Sequence, residues 1–337
     1  MFMAKYKVSS MIIESAFKPI WWLTNGHAQT IYPSLTKHTQ VAIDQHERVE
    51  LPDGDFLDLS WVVNGLDQAS PLVLLLHGLG GSINSVYVSG LLRAFNQCGY
   101  RSVFLHFRGA SHEPNRLPQV YHSGATADLH YIMEWLKARE PDTKKAAVGI
   151  SLGGNVLLKW LGERGVQSFI QSAVAVSVPF QLQLAANKMQ QGFSRLYQAY
   201  LLRRLHNLVL KKLDIINTHL PMSKRQLFSL KTLFDFDEHI TAPLHGFANA
   251  DDYYKTCSSR QYLKDIATPT LIIHALDDPF MTPMAIPHEN ELADPVVLEL
   301  SQKGGHVGFI SKNIKNPHSP AYWLEQRIPD FLMRYLL

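Results

Sequence analysis

A serine stands at the centre of Gly149-Ile150-Ser151-Leu152-Gly153, a G-x-S-x-G pattern. Such a serine acts as a nucleophile when a sharp strand-to-helix turn projects its hydroxyl. Here the apolar run Ala146–Ile150 precedes it and a helical stretch, Ser151–Leu161, follows. So tight a turn needs small neighbours, which Gly149 and Gly153 supply, and Gly154 adds room. A helix N-terminus beneath Ser151 would favour developing negative charge. The hydroxyl is a weak nucleophile and needs a base oriented by an acid. Ala275-Leu276-Asp277-Asp278-Pro279 follows the apolar run Thr270–His274, and Gly304-Gly305-His306-Val307-Gly308 follows Val296–Leu300. Both lie where strands run out, the edge at which open α/β sheets bind ligands. His306 is the expected base. Asp277 and Asp278 compete for the acid role, and Pro279, which fixes the backbone just after Asp278, favours Asp278. The bland alternatives are a serine N-cap and ordinary turn aspartates.

Acyl chemistry at a serine also needs two backbone N–H groups aimed at the developing oxyanion. Leu152, directly after the serine, offers one. His77-Gly78-Leu79-Gly80-Gly81-Ser82, after the apolar run Leu72–Leu76, offers the other at Leu79. The glycine-rich segment is not a phosphate loop, because no Gly-Lys-[Ser/Thr] follows. HExxH and paired Cys/His spacings are absent, so the sixteen histidines read as ordinary surface or core side chains and no metal is expected. Cys98 and Cys257 are read as reduced thiols, and no cofactor is implied.

The elements that must position these residues alternate. Val41–Glu50 and Phe56–Val63 read as a hairpin around Asp53-Gly54. Strands at Leu72–Leu76, Ser102–Phe107, Ala146–Ile150 and Ala173–Val178 are separated by helical stretches at about Ser85–Gln97, Ala125–Ala138 and Ser151–Leu161. This is the signature of a mostly parallel sheet with helices on both faces. From about Phe180 to Arg260 the pattern is helical, before strands resume at Thr270–His274 and Val296–Leu300 and a last helix runs through about Ala321–Tyr335. The expectation is a single α/β domain over residues 1–337, interrupted by a helical cap at about 180–260. Residues 1–38 read as a lead-in packed on that domain, with Trp21-Trp22 as core or cap packing. Phe193, Leu196, Tyr197, Tyr200 and Leu201 are spaced as the apolar face of an amphipathic cap helix.

The chain has 337 residues, 46% hydrophobic and 18% charged, enough to bury a large core. Its net charge of +3 does not indicate nucleic acid. No apolar run approaches a membrane span, and Met11-Ile12-Ile13 after Lys5 and Lys7 is too short for a signal-peptide core, so the chain reads as cytoplasmic. The charge is uneven. Lys188, Arg195, Arg203, Arg204, Lys211 and Lys212 follow one another without an acid, whereas Asp235, Asp237, Glu238, Asp251 and Asp252 cluster later. A solvated face of a cap helix is the preferred reading of the basic run, and weak contact with an anionic membrane surface is the alternative. No obligate protein partner is implied.

Taken together, these segments resemble the YheT-like branch of the α/β-hydrolase superfamily. The likeness also runs through Asn25-Gly26-His27-Ala28-Gln29-Thr30, Leu51-Pro52-Asp53-Gly54-Asp55 and His106-Phe107-Arg108-Gly109. It continues in Glu113-Pro114-Asn115-Arg116, Tyr121-His122-Ser123-Gly124, Asp277-Asp278-Pro279-Phe280-Met281 and Trp323-Leu324-Glu325-Gln326-Arg327. The chain departs from it at Ala110 and Ala125, where relatives often carry cysteine and glutamate. The resemblance implies a Ser151–Asp278–His306 triad and hydrolysis of carboxylic esters, short- to medium-chain or lipid, with transfer to an alcohol as the alternative. It leaves the substrate open. Arg108, Asn115, Tyr121 and His122 are expected in a buried network that holds their loop, in preference to substrate contact.

Overall fold

A computed structural model describes residues 11–36, 40–313, 316 and 318–337; Lys5 and Lys7 lie outside the described residues. The strands are β1 (Ile12–Glu14), β2 (Gln45–Glu50), β3 (Phe56–Val62), β4 (Leu72–Leu76), β5 (Arg101–His106), β6 (Lys145–Ile150), β7 (Ser172–Val176), β8 (Thr270–Ala275) and β9 (Val296–Ser301). They form one sheet in the order β1-β9-β8-β7-β6-β4-β5-β3-β2. β2 and β3 pair antiparallel, as do β3 and β5, and the remaining pairings are parallel. A small antiparallel ribbon, β10 (Ile310–Lys312) and β11 (Pro320–Tyr322), stands apart.

The unbroken apolar strands are explained by cover on both faces. Along β4, Leu72, Leu74 and Leu76 enter one core with helices α3 (Thr126–Arg139) and α4 (Leu152–Arg164), while Val73 and Leu75 enter the opposite core. That second core includes α2 (Val88–Gln97) and the C-terminal helix. α1 (Gly26–Thr36) belongs to the lead-in, which also adds β1 beside β9, a strand the sequence pattern did not suggest. Trp21 is 73% exposed and Trp22 packs edge-on against Tyr32, so the expectation of buried packing for this pair is corrected. Cys98 and Cys257 are both free thiols.

The insert comprises α5 (Leu182–Met189), α6 (Ser194–Lys211), α7 (Leu213–Ile216), α8 (Lys224–Ser229), α9 (Leu233–Phe236), a π-helical turn (Asp237–Thr241), α10 (Ala242–His245) and α11 (Ala250–Cys257). Its two ends meet: the Arg260 N–H donates to the Phe180 carbonyl at 3.2 Å. The chain closes with α12 (Leu324–Leu336). Among the described residues no helix is long and apolar enough to cross a membrane.

The face of α6 that the cap buries is rotated from the expected one. Ser194, Gln198, Leu201, Leu202, Leu205 and Val209 are buried, whereas Phe193, Leu196 and Tyr200 are exposed. Polar side chains among the buried residues, Ser194, Gln198 and His206, disguised it. Ser194 Oγ donates to the Pro279 carbonyl at 2.6 Å, and Gln198 Oε1 accepts the Leu233 N–H at 3.2 Å. The basic run is also divided, since Lys212 is buried with its ammonium donating to the Gln119 carbonyl at 2.6 Å.

Candidate active site

β4 and β6 are neighbours although β5 intervenes in the chain. The strand order reverses there, and the crevice at such a point is where open α/β sheets bind ligands. The loop after β4 and the turn after β6 meet in it. Ser151 occupies that turn at φ +53°, ψ −117°, a strained conformation for a side chain larger than glycine. Its tightness depends on Gly153, where a Cβ would lie 2.6 Å from the His77 carbonyl oxygen.

The expected triad residues come together from three strand ends. His306 Nε2 lies 3.0 Å from Ser151 Oγ, and His306 Nδ1 lies 2.8 Å from Asp278 Oδ2. Asp278 is buried, and its Oδ1 accepts the Phe280 N–H at 2.8 Å. A carboxylate on Nδ1 holds the tautomer that leaves Nε2 able to accept the serine proton. The Phe280 ring stacks on the imidazole at 3.9 Å between centroids and 7° between planes. Asp277 does something else: its Oδ1 accepts the Gly305 N–H at 2.9 Å, which shapes the histidine loop, and burial pushes its carboxyl up.

That loop is braced by the lead-in, through contacts that sequence reasoning missed. Thr30 Oγ1 accepts the His306 N–H at 2.8 Å and donates to the Gly26 carbonyl at 2.7 Å. Buried Gln29 donates to the carbonyls of Leu23 and Ile310 and accepts the Ile310 N–H at 2.6 Å. Val307, at φ +62°, donates its N–H to Ser177 Oγ at 3.1 Å. The family-like stretch Asn25–Thr30 thus supports the loop carrying His306.

In the loop after β4 the N–H groups of the three glycines are all engaged. Gly78 N–H donates to Tyr87 OH at 3.0 Å, Gly80 N–H to Tyr121 OH at 2.6 Å, and Gly81 N–H to the Gly78 carbonyl at 2.9 Å. Among the described residues the Leu79 N–H has no acceptor. Leu152 opens α4, so its N–H belongs to the first turn, which lacks intrahelical acceptors. His77 is fully buried against Phe104 and Phe107, and burial lowers its pKa to about 3. As a neutral ring it donates from Nδ1 to the Gly78 carbonyl at 2.8 Å and accepts the Phe107 N–H at Nε2, 3.3 Å away. On the other side of the loop, Arg204 of α6 donates from Nη1 to the Gly80 carbonyl at 2.7 Å.

Arg108 and Asn115 sit in the expected network. Arg108 pairs with Asp53, Asp55 and Asp128, and Asn115 Nδ2 donates to Asp55 Oδ1 at 3.1 Å. Tyr121 and His122 also line the cavity, the side on which the less favoured reading, substrate contact, would place them. That cavity, about 560 Å³, is lined by Ser151 and His306 and walled chiefly by apolar residues, among them Leu79, Leu182, Met189, Leu205 and Phe236. Among the described residues no group of His, Cys, Asp and Glu is arranged to hold a metal ion.

Residues 71–313 match the family described as the alpha/beta hydrolase fold. The chain is 44% identical to "Putative esterase YheT" of Escherichia coli K12 over 95% of this chain and 94% of that one. It belongs to the YheT-like branch of the α/β-hydrolase superfamily. More distant members of this superfamily include the mouse phospholipase ABHD3, 29% identical over 89% of this chain and 74% of its own. The monoacylglycerol lipase of Saccharomyces cerevisiae is 27% identical over 85% of this chain and 74% of its own. The fold of this α/β hydrolase is also that of the Pyrococcus furiosus esterase Pf2001, with a TM-score of 0.55, 18% identity, and coverage of 87% of this chain and 94% of that one.

Proposed function

We propose that the protein is a serine esterase acting on carboxylic esters with an apolar acyl portion, with Ser151, His306 and Asp278 as its triad. The carrying observation is the continuous relay from Ser151 Oγ to His306 Nε2 (3.0 Å) and from His306 Nδ1 to Asp278 (2.8 Å), with Ser151 and His306 lining a largely apolar cavity. Ser151 Oγ attacks the acyl carbonyl carbon as His306 Nε2 takes its proton. Asp278 keeps the imidazole oriented and stabilises its charged form. The Leu79 and Leu152 N–H groups hold the tetrahedral oxyanion, a contribution of about 3–4 kcal/mol per donor. Collapse expels the alcohol, which receives the proton from His306. Water activated by the same imidazole then attacks the acyl-enzyme, and the acid leaves.

The names of relatives, esterase, phospholipase and monoacylglycerol lipase, support ester hydrolysis as the reaction class. The cap residues over the serine support an apolar acyl group in preference to a sugar or peptide. The test is a chain-length panel of p-nitrophenyl esters, with fluorophosphonate labelling, on the wild type and Ser151→Ala. Labelling and turnover are expected in the wild type and lost in the variant. A Ser151→Ala protein that labels or turns over as well as the wild type overturns the assignment.

A further inference from the structure

One charged group in the cavity wall has no part in this chemistry. Asp237 opens the π-helical turn of the cap and lines the same cavity as Ser151. Its Oδ1 accepts from Thr241 Oγ1 at 2.7 Å and its Oδ2 from Tyr254 OH at 2.8 Å. Thr241 and Tyr254 line the cavity too, so three polar side chains meet at one place on it. Apolar residues of the cap, Leu182, Met189, Leu233 and Phe236, line the same cavity. Among the described residues Asp237 forms no ion pair with a lysine or arginine. Burial pushes its carboxyl up to about 6, against the two hydroxyl bonds that favour the charged form.

A tie between the π turn and α11 would need only two acceptors, which an asparagine oxygen and a water could supply. A half-buried carboxylate among apolar side chains without a counter-ion is costly. It also brings more acceptor capacity than two bonds use. A carboxylate has about four lone-pair sites, so each oxygen of Asp237 keeps one open. π turns inside helices occur often at functional sites. A hydroxyl matches the open positions, since it has one proton to donate and carries no charge into the apolar surroundings. An ammonium brings three donors to two open sites.

We propose that Asp237, positioned by Thr241 and Tyr254, is a specificity-determining subsite that accepts a hydrogen bond from a substrate hydroxyl, so that the esters taken by this site carry a free hydroxyl apart from the scissile bond. The proposal rests on the serine-esterase reading above. The hydroxyl is borne either by the acyl chain or by the alcohol, and both present the same donor to the cap end of the cavity.

The experiment reads protection of Ser151 from fluorophosphonate labelling by 1-octanol, 1,8-octanediol and 8-amino-1-octanol, in the wild type, Asp237→Asn and Asp237→Leu. The quantity compared is the ratio of protecting concentrations within each protein, which is independent of any change in its labelling rate. Both substitutions are expected to shift the diol-to-octanol ratio against the diol by about tenfold or more, the range of a hydrogen bond to a charged group. A companion pair, p-nitrophenyl octanoate with 8-hydroxyoctanoate and octyl acetate with 8-hydroxyoctyl acetate, tells whether the acyl or the alcohol side bears the hydroxyl. An unchanged diol ratio in both variants overturns the subsite, including the case in which melting temperature or labelling rate alone changes. An Asp237-dependent preference for the amino alcohol over the diol overturns the choice of hydroxyl. Absence of Ser151 labelling in the wild type defeats the esterase reading and this proposal with it, whereas normal labelling with an unchanged ratio defeats the subsite alone.

Discussion

Arg204 reaches from α6 to the Gly80 carbonyl at 2.7 Å, while the N–H of the same glycine is held by Tyr121. A single residue of the loop after β4 is therefore clamped between the cap and the loop after β5, directly beside the unpaired Leu79 N–H. The Arg204 stem packs against Gly80 as well, leaving no room for a Cβ there. Arg204→Ala is expected to lower kcat by about tenfold with a smaller change in KM, because a displaced oxyanion donor weakens the transition state more than the ground state. Arg204→Lys, which keeps a donor, is expected to recover part of the loss. Steady-state kinetics on one ester in the three proteins decide it, and a loss seen in KM alone would assign Arg204 to substrate binding instead.

The bond from the His306 N–H to Thr30 predicts that the lead-in matters to catalysis. Thr30→Val keeps the shape and leaves a partly buried N–H without an acceptor, a cost of about 1–3 kcal/mol. Labelling of Ser151 by fluorophosphonate should slow by roughly tenfold or more if that cost falls on the productive loop geometry. Thr30→Ser, which restores the oxygen, should return the rate toward wild type. Equal rates in all three proteins would remove Thr30 from the support of His306.

Stacking of Phe280 on His306 gives a further expectation. The ring covers one face of the imidazole at 3.9 Å and limits how it can turn. Phe280→Ala should reduce kcat several-fold, and Phe280→Tyr, which keeps the ring face, should stay near wild type. A pre-steady-state burst assay locates the effect at acylation or deacylation, and an unaffected Ala variant would make the stacking incidental.

Asp237 links the cap to stability through pH. Its carboxyl titrates near 6 in the folded chain, above the ordinary aspartate value of 3.8. The folded state then holds its proton more tightly than the unfolded one, so this group's contribution favours folding below the ordinary value. That contribution is lost as pH rises through about 6. Asp237→Asn is therefore expected to melt higher than wild type at pH 7.5, by about 1–2 °C in a chain of 337 residues if the gain is near 1 kcal/mol. The difference should shrink below pH 4. Melting curves across this range test it, and a variant destabilised at pH 7.5 would mean that the two hydroxyl bonds outweigh the buried charge.

Much of this architecture was legible in the sequence because it is local. Leu72–Leu76 and Ala146–Ile150 are continuous apolar runs followed at once by their functional turns, so strand, turn and chemistry share one short window. The choice between Asp277 and Asp278 was less secure, since Pro279 gave only a weak reason, and it is geometry that separates a carboxylate on His306 from one on Gly305. Contacts across long sequence separations left no mark. Thr30 meets His306 and Ile12 pairs with Leu298, and neither shows in any periodicity. The buried stripe of α6 was misread because Ser194 and Gln198 look solvent-facing until their partners are known. Asp237 stands among the acids that cluster late in the cap, and nothing in that spacing places it on the cavity.

The backbone bond between Arg260 and Phe180 closes the neck of the cap, so the polypeptide leaves the sheet and returns to it at one place. An excursion of this kind is a cassette. Its helices can be exchanged, shortened or redesigned to admit other esters while β7 and β8 keep their register, much as one changes the die in a fixed press. Any replacement must still offer a donor to the Gly80 carbonyl, since that grip is one of the places where the interchangeable part touches the machinery that does not change.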